Sequence, residues 1–177
     1  MWLLHVQLDR QLCYSDVYNT LDRMHIIGPH LQRESDCEAV LRTLPGWFGI
    51  ERALMVYVAD TTRLPTFALE QDARLIGFLT LREHFPKSWE VHCMAIAADV
   101  RGKGLGSRLL AHSEEWLRER GVEFLQVKTV AATSKSAEYE QTREYYETRG
   151  FTPLEVFPEL WDPWNPALQC IKRLNAV

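Results

Sequence analysis

The 177-residue sequence is short of several features that would assign it to a class at once. It has no excess of positive charge: 20 Lys and Arg stand against 24 Asp and Glu, a net charge of −4. That balance argues against a general binder of nucleic acid or of acidic membranes. Cysteine is scarce and scattered. Cys13, Cys37, Cys93 and Cys170 make neither a CxxC pair nor a Cys/His cluster with zinc spacing, so free thiols and no metal site are expected. No internal repeat, low-complexity tract or apolar run of membrane-spanning length occurs. The opening MWLLHVQLDR carries no basic leader and its apolar run is broken by His5, so a cytoplasmic protein is expected.

What is present is the composition of an ordinary globular chain, 46% hydrophobic and 25% charged, long enough for one domain over residues 1–177 with a real core. The first third reads as mostly helical. LHVQL at 4–8 alternates like a short strand, and 15–27 suits a helix capped by Ser15 or Asp16 and ended by Gly28-Pro29. Ser35-Asp36 offers a cap for CEAVLRTL, which Pro45-Gly46 stops, and IERALMVYVAD reads as a further helix. From residue 66 the pattern turns to strands: TFALE, a polar turn at Gln71-Asp72 and ARLIGFLTLRE form a hairpin, and WEVHCMAIA at 89–97 is a long strand. Helices over 105–120 and 137–149 then alternate with strands at 122–130 and from Phe151. A Pro- and Trp-rich excursion, PELWDPWNPA, precedes a last strand, LQCIKRL. The expected class is α/β (α+β), a mixed sheet with helices on its faces.

The chemistry concentrates at residues 99–110, DVRGKGLGSRLL. A P-loop is excluded because Gly104 stands where Ser or Thr must follow Lys103, and no glycine lies five residues before Gly102. A dinucleotide fingerprint fails because GLGSRL lacks its third glycine and no early βαβ unit precedes it. Glycines on alternate positions at the start of a helix nevertheless expose successive N–H groups to the positive end of the helix dipole. With Arg101 and Lys103 interleaved, the loop reads as a cradle for phosphate or pyrophosphate.

Arg101, Gly104 and Gly106 stand at the fixed positions of Q/R-x-x-G-x-G/A, and the loop resembles that motif of the GNAT (Gcn5-related N-acetyltransferase) superfamily. YYETRGF, Tyr145 to Phe151, resembles the family's second signature, a helix ending in FYxxxGF before a strand. The likeness spans roughly residues 66–155, and the tail PLEVFPELWDPWNPALQCIKRL resembles a bacterial subgroup. It implies a mostly antiparallel sheet splayed between its fourth and fifth strands, with acetyl-CoA as acyl donor and an amine as acceptor. Arg101, Gly102, Lys103, Gly104, Leu105, Gly106 and Ser107 would hold the pyrophosphate, while Met94, Ala95 and Ile96 would offer backbone groups to the pantetheine and the thioester carbonyl. Tyr146 would protonate the departing sulfur, with Tyr145 in the core.

For the base, alternation along WEVHCMAIA puts Glu90, His92, Met94 and Ile96 on one face. In histone-acetylating members of the family the catalytic glutamate stands on this strand, which matches Glu90. His92 has an ordinary pKa of about 6.5 suited to the same work, and release of the proton to solvent is a third course. Arg143, one helical turn before Tyr146, either approaches the cofactor or sits in solvent. Trp161 and Trp164 either wall the acceptor site or, the preferred reading, cap the core. The expectation is acetyl transfer to a small amine or a peptide amine. A non-catalytic acyl-CoA-binding module and a different acyl donor or acceptor are the alternatives. A homodimer paired through exposed strands or the tail is compatible with the pattern.

Overall fold

The computed structural model describes residues 24–134 and 136–174. The proposed strand at 4–8 and residues 15–23 of the helix expected over 15–27 lie outside them. The elements run β1 (Met24–Ile27), α1 (Glu34–Arg42), α2 (Pro45–Phe48), α3 (Glu51–Asp60), β2 (Thr66–Gln71), β3 (Arg74–Phe85), β4 (Ser88–Ile96), α4 (Leu105–Arg118), β5 (Phe124–Val130), α5 (Ala137–Thr148), β6 (Thr152–Asp162) and β7 (Asn165–Arg173). The strands form one seven-stranded sheet in the order β1-β2-β3-β4-β5-β7-β6. Every neighbouring pair is antiparallel except β4 and β5, which run parallel.

Helices cover both faces of the sheet. On one, Leu109, Leu110 and Leu117 of α4 pack with Leu79, Leu81, Val91, Leu125 and Val127. On the other, Cys37, Val40 and Leu41 of α1 and Leu54 and Val58 of α3 pack with Ala68, Phe78, Cys93 and Ala95. The helical spacing of these apolar residues buries one stripe of each helix. Cys37, Cys93 and Cys170 are free and buried.

Four local readings of the sequence need correction. Met24–Ile27 is a strand, not the end of a helix: it pairs with β2 from Met24↔Gln71 to Ile27↔Ala68. The unpaired edge of β2 offers a ladder that local helix propensity does not outweigh, and the Ile pair suits a strand. Ser35 does not cap α1, whose N-cap is Arg33 without a side-chain cap bond. Pro45 starts a helix of its own, α2, because its missing N–H costs nothing in a first turn. The Pro- and Trp-rich excursion is a hairpin that continues β6 into β7 through Pro163-Trp164. Trp161 and Trp164 are 44% and 74% exposed, so they do not cap the core.

The expected splay is present. β4 and β5 pair only from Ser88↔Phe124 to Val91↔Val127, although both strands continue. Beyond Val91, the backbone groups of β4 that point away from β3 have no partner strand among the described residues.

Candidate active site

The splay begins beside an irregularity in β4. Thr80 pairs with Cys93 and Leu81 with Val91, so His92 is an extra residue, a β-bulge. A bulge reverses the alternation of side chains beyond it. Trp89 and Val91 therefore share a face with Met94 and Ile96, while Cys93 and Ala95 point to the α1–α3 side. This corrects the placing of Glu90, His92, Met94 and Ile96 on one face. Glu90 and His92 instead meet residues from the α1–α3 side and from neighbouring strands.

The glycine loop follows a short 3-10 turn, Ala98–Val100. Gly102 and Gly104 both have φ of +76°, a left-handed conformation that side chains resist, and a Cβ on either would meet nothing within 4 Å. Gly104 is the N-cap of α4, with no side-chain cap and no acidic residue in the first turn. The first N–H groups of this 14-residue helix are thus left for an outside acceptor.

These N–H groups face a cavity of about 400 Å³ lined by Met94, Ala95, Ile96, Arg101, Gly102, Gly104, Leu105, Gly106 and Ser107, with Tyr145, Tyr146 and Arg149 of the α5 end opposite. Every loop and strand residue expected at the donor site lines it except Lys103, which is exposed on the loop. Arg149 was not foreseen. Its Nε and Nη2 donate to Ser107 Oγ at 2.9 and 2.6 Å, which sets a guanidinium beside the open helix end. A cation directly before the helix-ending Gly150 was the available signal. The Tyr145 hydroxyl is buried near Ser107 and Arg149 without completing a hydrogen bond. Arg101 lies over the Trp47 ring, 4.2 Å from its centroid.

A second cavity, of about 560 Å³, opens where β4 and β5 part. It shares Trp47, Phe48, Met94, Thr142 and Tyr146 with the first, so the two meet. Trp47 Nε1 donates to Thr142 Oγ1 at 3.0 Å and the Tyr139 hydroxyl donates to the Trp47 carbonyl at 3.0 Å. These bonds fasten α2 to α5 where the cavities join. Tyr146 stands at that junction, 5% exposed, and burial pushes its phenol well above the usual value. It remains protonated throughout the neutral range.

The two candidate bases are placed differently. His92 lines the second cavity. Its Nε2 lies 2.9 Å from Asp60 Oδ2 and 3.1 Å from Arg82 Nη2, and Arg82 also donates to Asp60 at 2.8 Å. Burial, then the Arg82 charge, push the imidazole down, against an upward pull from Asp60, so the neutral ring prevails near pH 7. Glu90 lines neither cavity. Its Oε1 accepts from Lys128 at 3.0 Å and its Oε2 lies 2.5 Å from His84 Nε2. Arg143 reaches neither cavity either; it donates to the Val130 carbonyl at 2.9 Å. Trp161 lines the second cavity and Trp164 does not.

The profile of the acetyltransferase (GNAT) family matches residues 33–151. The chain belongs to the GNAT family. A comparison with curated proteins finds no match. Solved GNAT structures share the fold. Ribosomal-protein-S18-alanine N-acetyltransferase from Escherichia coli is 16% identical with a TM-score of 0.69, over 87% of this chain and 96% of that one. Ard1 from Thermoplasma volcanium is 12% identical with a TM-score of 0.69, over 86% and 99%. A GNAT acetyltransferase from Elizabethkingia anophelis, solved with acetyl-CoA bound, is 15% identical with a TM-score of 0.64, over 86% and 99%. At these identities the likeness is one of fold. Among the described residues no helix is long and apolar enough to cross a membrane.

Proposed function

We propose that this GNAT protein transfers the acetyl group of acetyl-CoA to a primary amine by direct attack in a ternary complex. The observation that carries the reading is the junction of two cavities at Tyr146, one ending on an uncapped helix N-terminus and the other holding a neutral imidazole. The N–H groups of Leu105 to Ser107, with Arg101 and Arg149, suit the pyrophosphate of acetyl-CoA. The edge of β4 from Met94 to Ile96 that faces away from β3 suits the pantetheine and the thioester carbonyl, where backbone N–H groups stabilise developing negative charge.

Alkyl amines are protonated near pH 7, with a pKa of roughly 10, so the acceptor must lose a proton before it attacks. His92 takes it, and Asp60 stabilises the imidazolium that results. The amine nitrogen bonds to the carbonyl carbon, the C–S bond breaks, and the Tyr146 hydroxyl gives its proton to the departing thiolate. The nitrogen of the adduct gives up its second proton, which through solvent restores the Tyr146 hydroxyl, and the proton on His92 goes to solvent. The overall products are the amide, coenzyme A as thiol and one proton. Holding both reactants in joined cavities supplies much of the rate by orientation. Glu90, with both oxygens engaged by Lys128 and His84 and itself lining neither cavity, serves to order the β4–β5 junction.

Acetyl-CoA should raise the melting temperature and release free thiol with some member of a broad panel of amines. Stabilisation by ATP or NAD but not by coenzyme A would overturn the reading. Binding of acetyl-CoA with no thiol release across the panel would leave an acyl-CoA-binding module.

A further inference from the structure

Three side chains from separate elements converge beside the second cavity. Asp60 is the last residue of α3, and no basic residue stands in the last turn of that helix. A carboxylate there opposes the negative end of the helix dipole, so local stability does not account for it. Its Oδ2 accepts from Arg82 Nη2 of β3 at 2.8 Å and lies 2.9 Å from Nε2 of His92, the bulged residue of β4. Arg82 Nη2 lies 3.1 Å from the same ring nitrogen. The three atoms thus form a nearly equilateral triangle. His92 lines the cavity, while Asp60 and Arg82 stand behind it, outside the lining.

The triangle fixes where the neutral ring carries its hydrogen. A carboxylate oxygen only accepts and a guanidinium only donates. A bare Nε2 would set its lone pair against Asp60 Oδ2 at 2.9 Å with no hydrogen between them. A hydrogen on Nε2 removes that repulsion and gives Oδ2 a second charge-assisted bond beside the one from Arg82. The free lone pair is then on Nδ1. That atom has no hydrogen-bond partner among the described residues, and it is not one of the unpartnered atoms sealed from solvent. The Arg82 charge opposes a second proton on the ring, whereas Asp60 and then Glu90 favour it. Arg52 of α3, Lys128 of β5 and Asp162 of β6 are the other charged groups of the cavity. Tyr57, packed at 5.3 Å on the imidazole, lines it with Cys93, Tyr139 and Tyr146, and burial holds all four neutral.

Resting on the acetyltransferase reading, we propose that Asp60 and Arg82 are positioning residues for the transfer. Asp60 holds the Nε2 hydrogen, which makes Nδ1 the atom that takes the acceptor's proton. Arg82 holds the carboxylate in place and keeps the ring free to accept. The ammonium gives its proton to Nδ1, the imidazolium keeps its Nε2–H on Asp60, and solvent later takes the proton from Nδ1. Neither Asp60 nor Arg82 changes its own protonation.

The free protein labelled with 15N-histidine tests the arrangement by long-range 1H–15N NMR, the His92 signals being assigned by their loss in His92→Gln. At about pH 8, where the ring is neutral, the unchanged protein should show the Nε2–H form. Arg82→Gln should raise the midpoint of the His92 titration by about half a unit or more, at least about threefold in proton affinity. Arg82→Lys keeps the charge and should return most of that shift. Asp60→Asn should lower the midpoint, and its amide, able to donate to a bare Nε2, should populate the Nδ1–H form. In turnover the acidic limb of kcat should follow the midpoint in each variant. Asp60→Asn should lower kcat by about a hundredfold, with acceptor KM little changed. An Nδ1–H form in the unchanged protein, a midpoint that Arg82→Gln leaves in place, or an acidic limb that does not follow the midpoint overturns the proposal. Absence of thiol release with every amine overturns the acetyltransferase reading and with it the catalytic role of the pair. The Nε2–H form and the Arg82 shift need no turnover, and they would show that failure to lie outside the arrangement of the ring.

Discussion

The donor cavity takes much of its wall from one continuous stretch, Arg101 to Ser107, and the end of β4 that precedes it. The acceptor cavity gathers α2, α3, β4, β5, α5 and the β6–β7 hairpin, with side chains far apart in sequence. The first presents backbone N–H groups and needs glycine; the second presents rings and a few polar atoms. A backbone cradle suits a constant group, as the proposed pyrophosphate is, and tolerates little change. A wall of side chains from many elements recognises the variable partner and can be altered piece by piece.

The largest effects should come at the junction, where the contrast disappears. Tyr146→Phe should lower kcat by about a hundredfold or more, in the range of general acid catalysis, with acetyl-CoA affinity nearly unchanged. His92→Gln should lower kcat to a similar degree and remove the acidic limb of its pH profile. In the unchanged protein that limb should lie below the ordinary histidine value of about 6.5, because the ring is held neutral. A profile with the same acidic limb in both proteins would assign the base elsewhere.

On the donor side alone, Gly104→Val forces a β-branched residue to φ of +76°, at about 1–2 kcal/mol or more. Acetyl-CoA affinity measured by calorimetry should fall roughly tenfold, while the KM for the acceptor amine stays the same. An equal loss in both would mean that the two cavities are not separable. The same histidine gives a smaller effect on stability. Its folded pKa is depressed, so below about pH 6.5 the unfolded chain binds more protons and stability falls as pH drops. That fall should be shallower in His92→Gln, measured by urea unfolding between pH 5 and 7. The smallest change is expected at the rim. Trp161→Ala removes an exposed ring and should alter stability by less than about 0.5 kcal/mol, with its effect confined to acceptor KM.

The same contrast explains what the residues disclose when read in order. Arg101, Gly104, Gly106 and the YYETRGF run lie in short motifs set by local geometry, and the structure gathers Arg101, Gly104 and Gly106 around one cavity with Tyr145, Tyr146 and Arg149 of that run. Lys103, taken with them because it is basic and adjacent, points into solvent. Glu90 and His92 show the reverse. Two positions apart on one strand, they differ because a bulge opposite Thr80 and Leu81 breaks the alternation, and no residue type in WEVHCMAIA marks it. Trp161 lay in a tract read as irregular, since Pro158, Pro163 and Pro166 punctuate a hairpin that joins the sheet through the pairing of β7 with β5.

By itself the sequence determined the order of the strands and helices after residue 66, the cradle at the start of α4 and the aromatic pair before Gly150. Each depends on contacts between residues near in the chain: glycine conformations, helical spacing and a helix end. Tertiary structure alone decided that Met24–Ile27 would be a strand, that β4 and β5 would part after Val91, and that His92 and not Glu90 would line the acceptor cavity. Those outcomes depend on pairing partners and bulges supplied from distant strands. The aromatic wall of Trp47, Phe48, Tyr57, Tyr139 and Trp161 arises in the same way, because no local rule relates side chains that meet only when the sheet has formed.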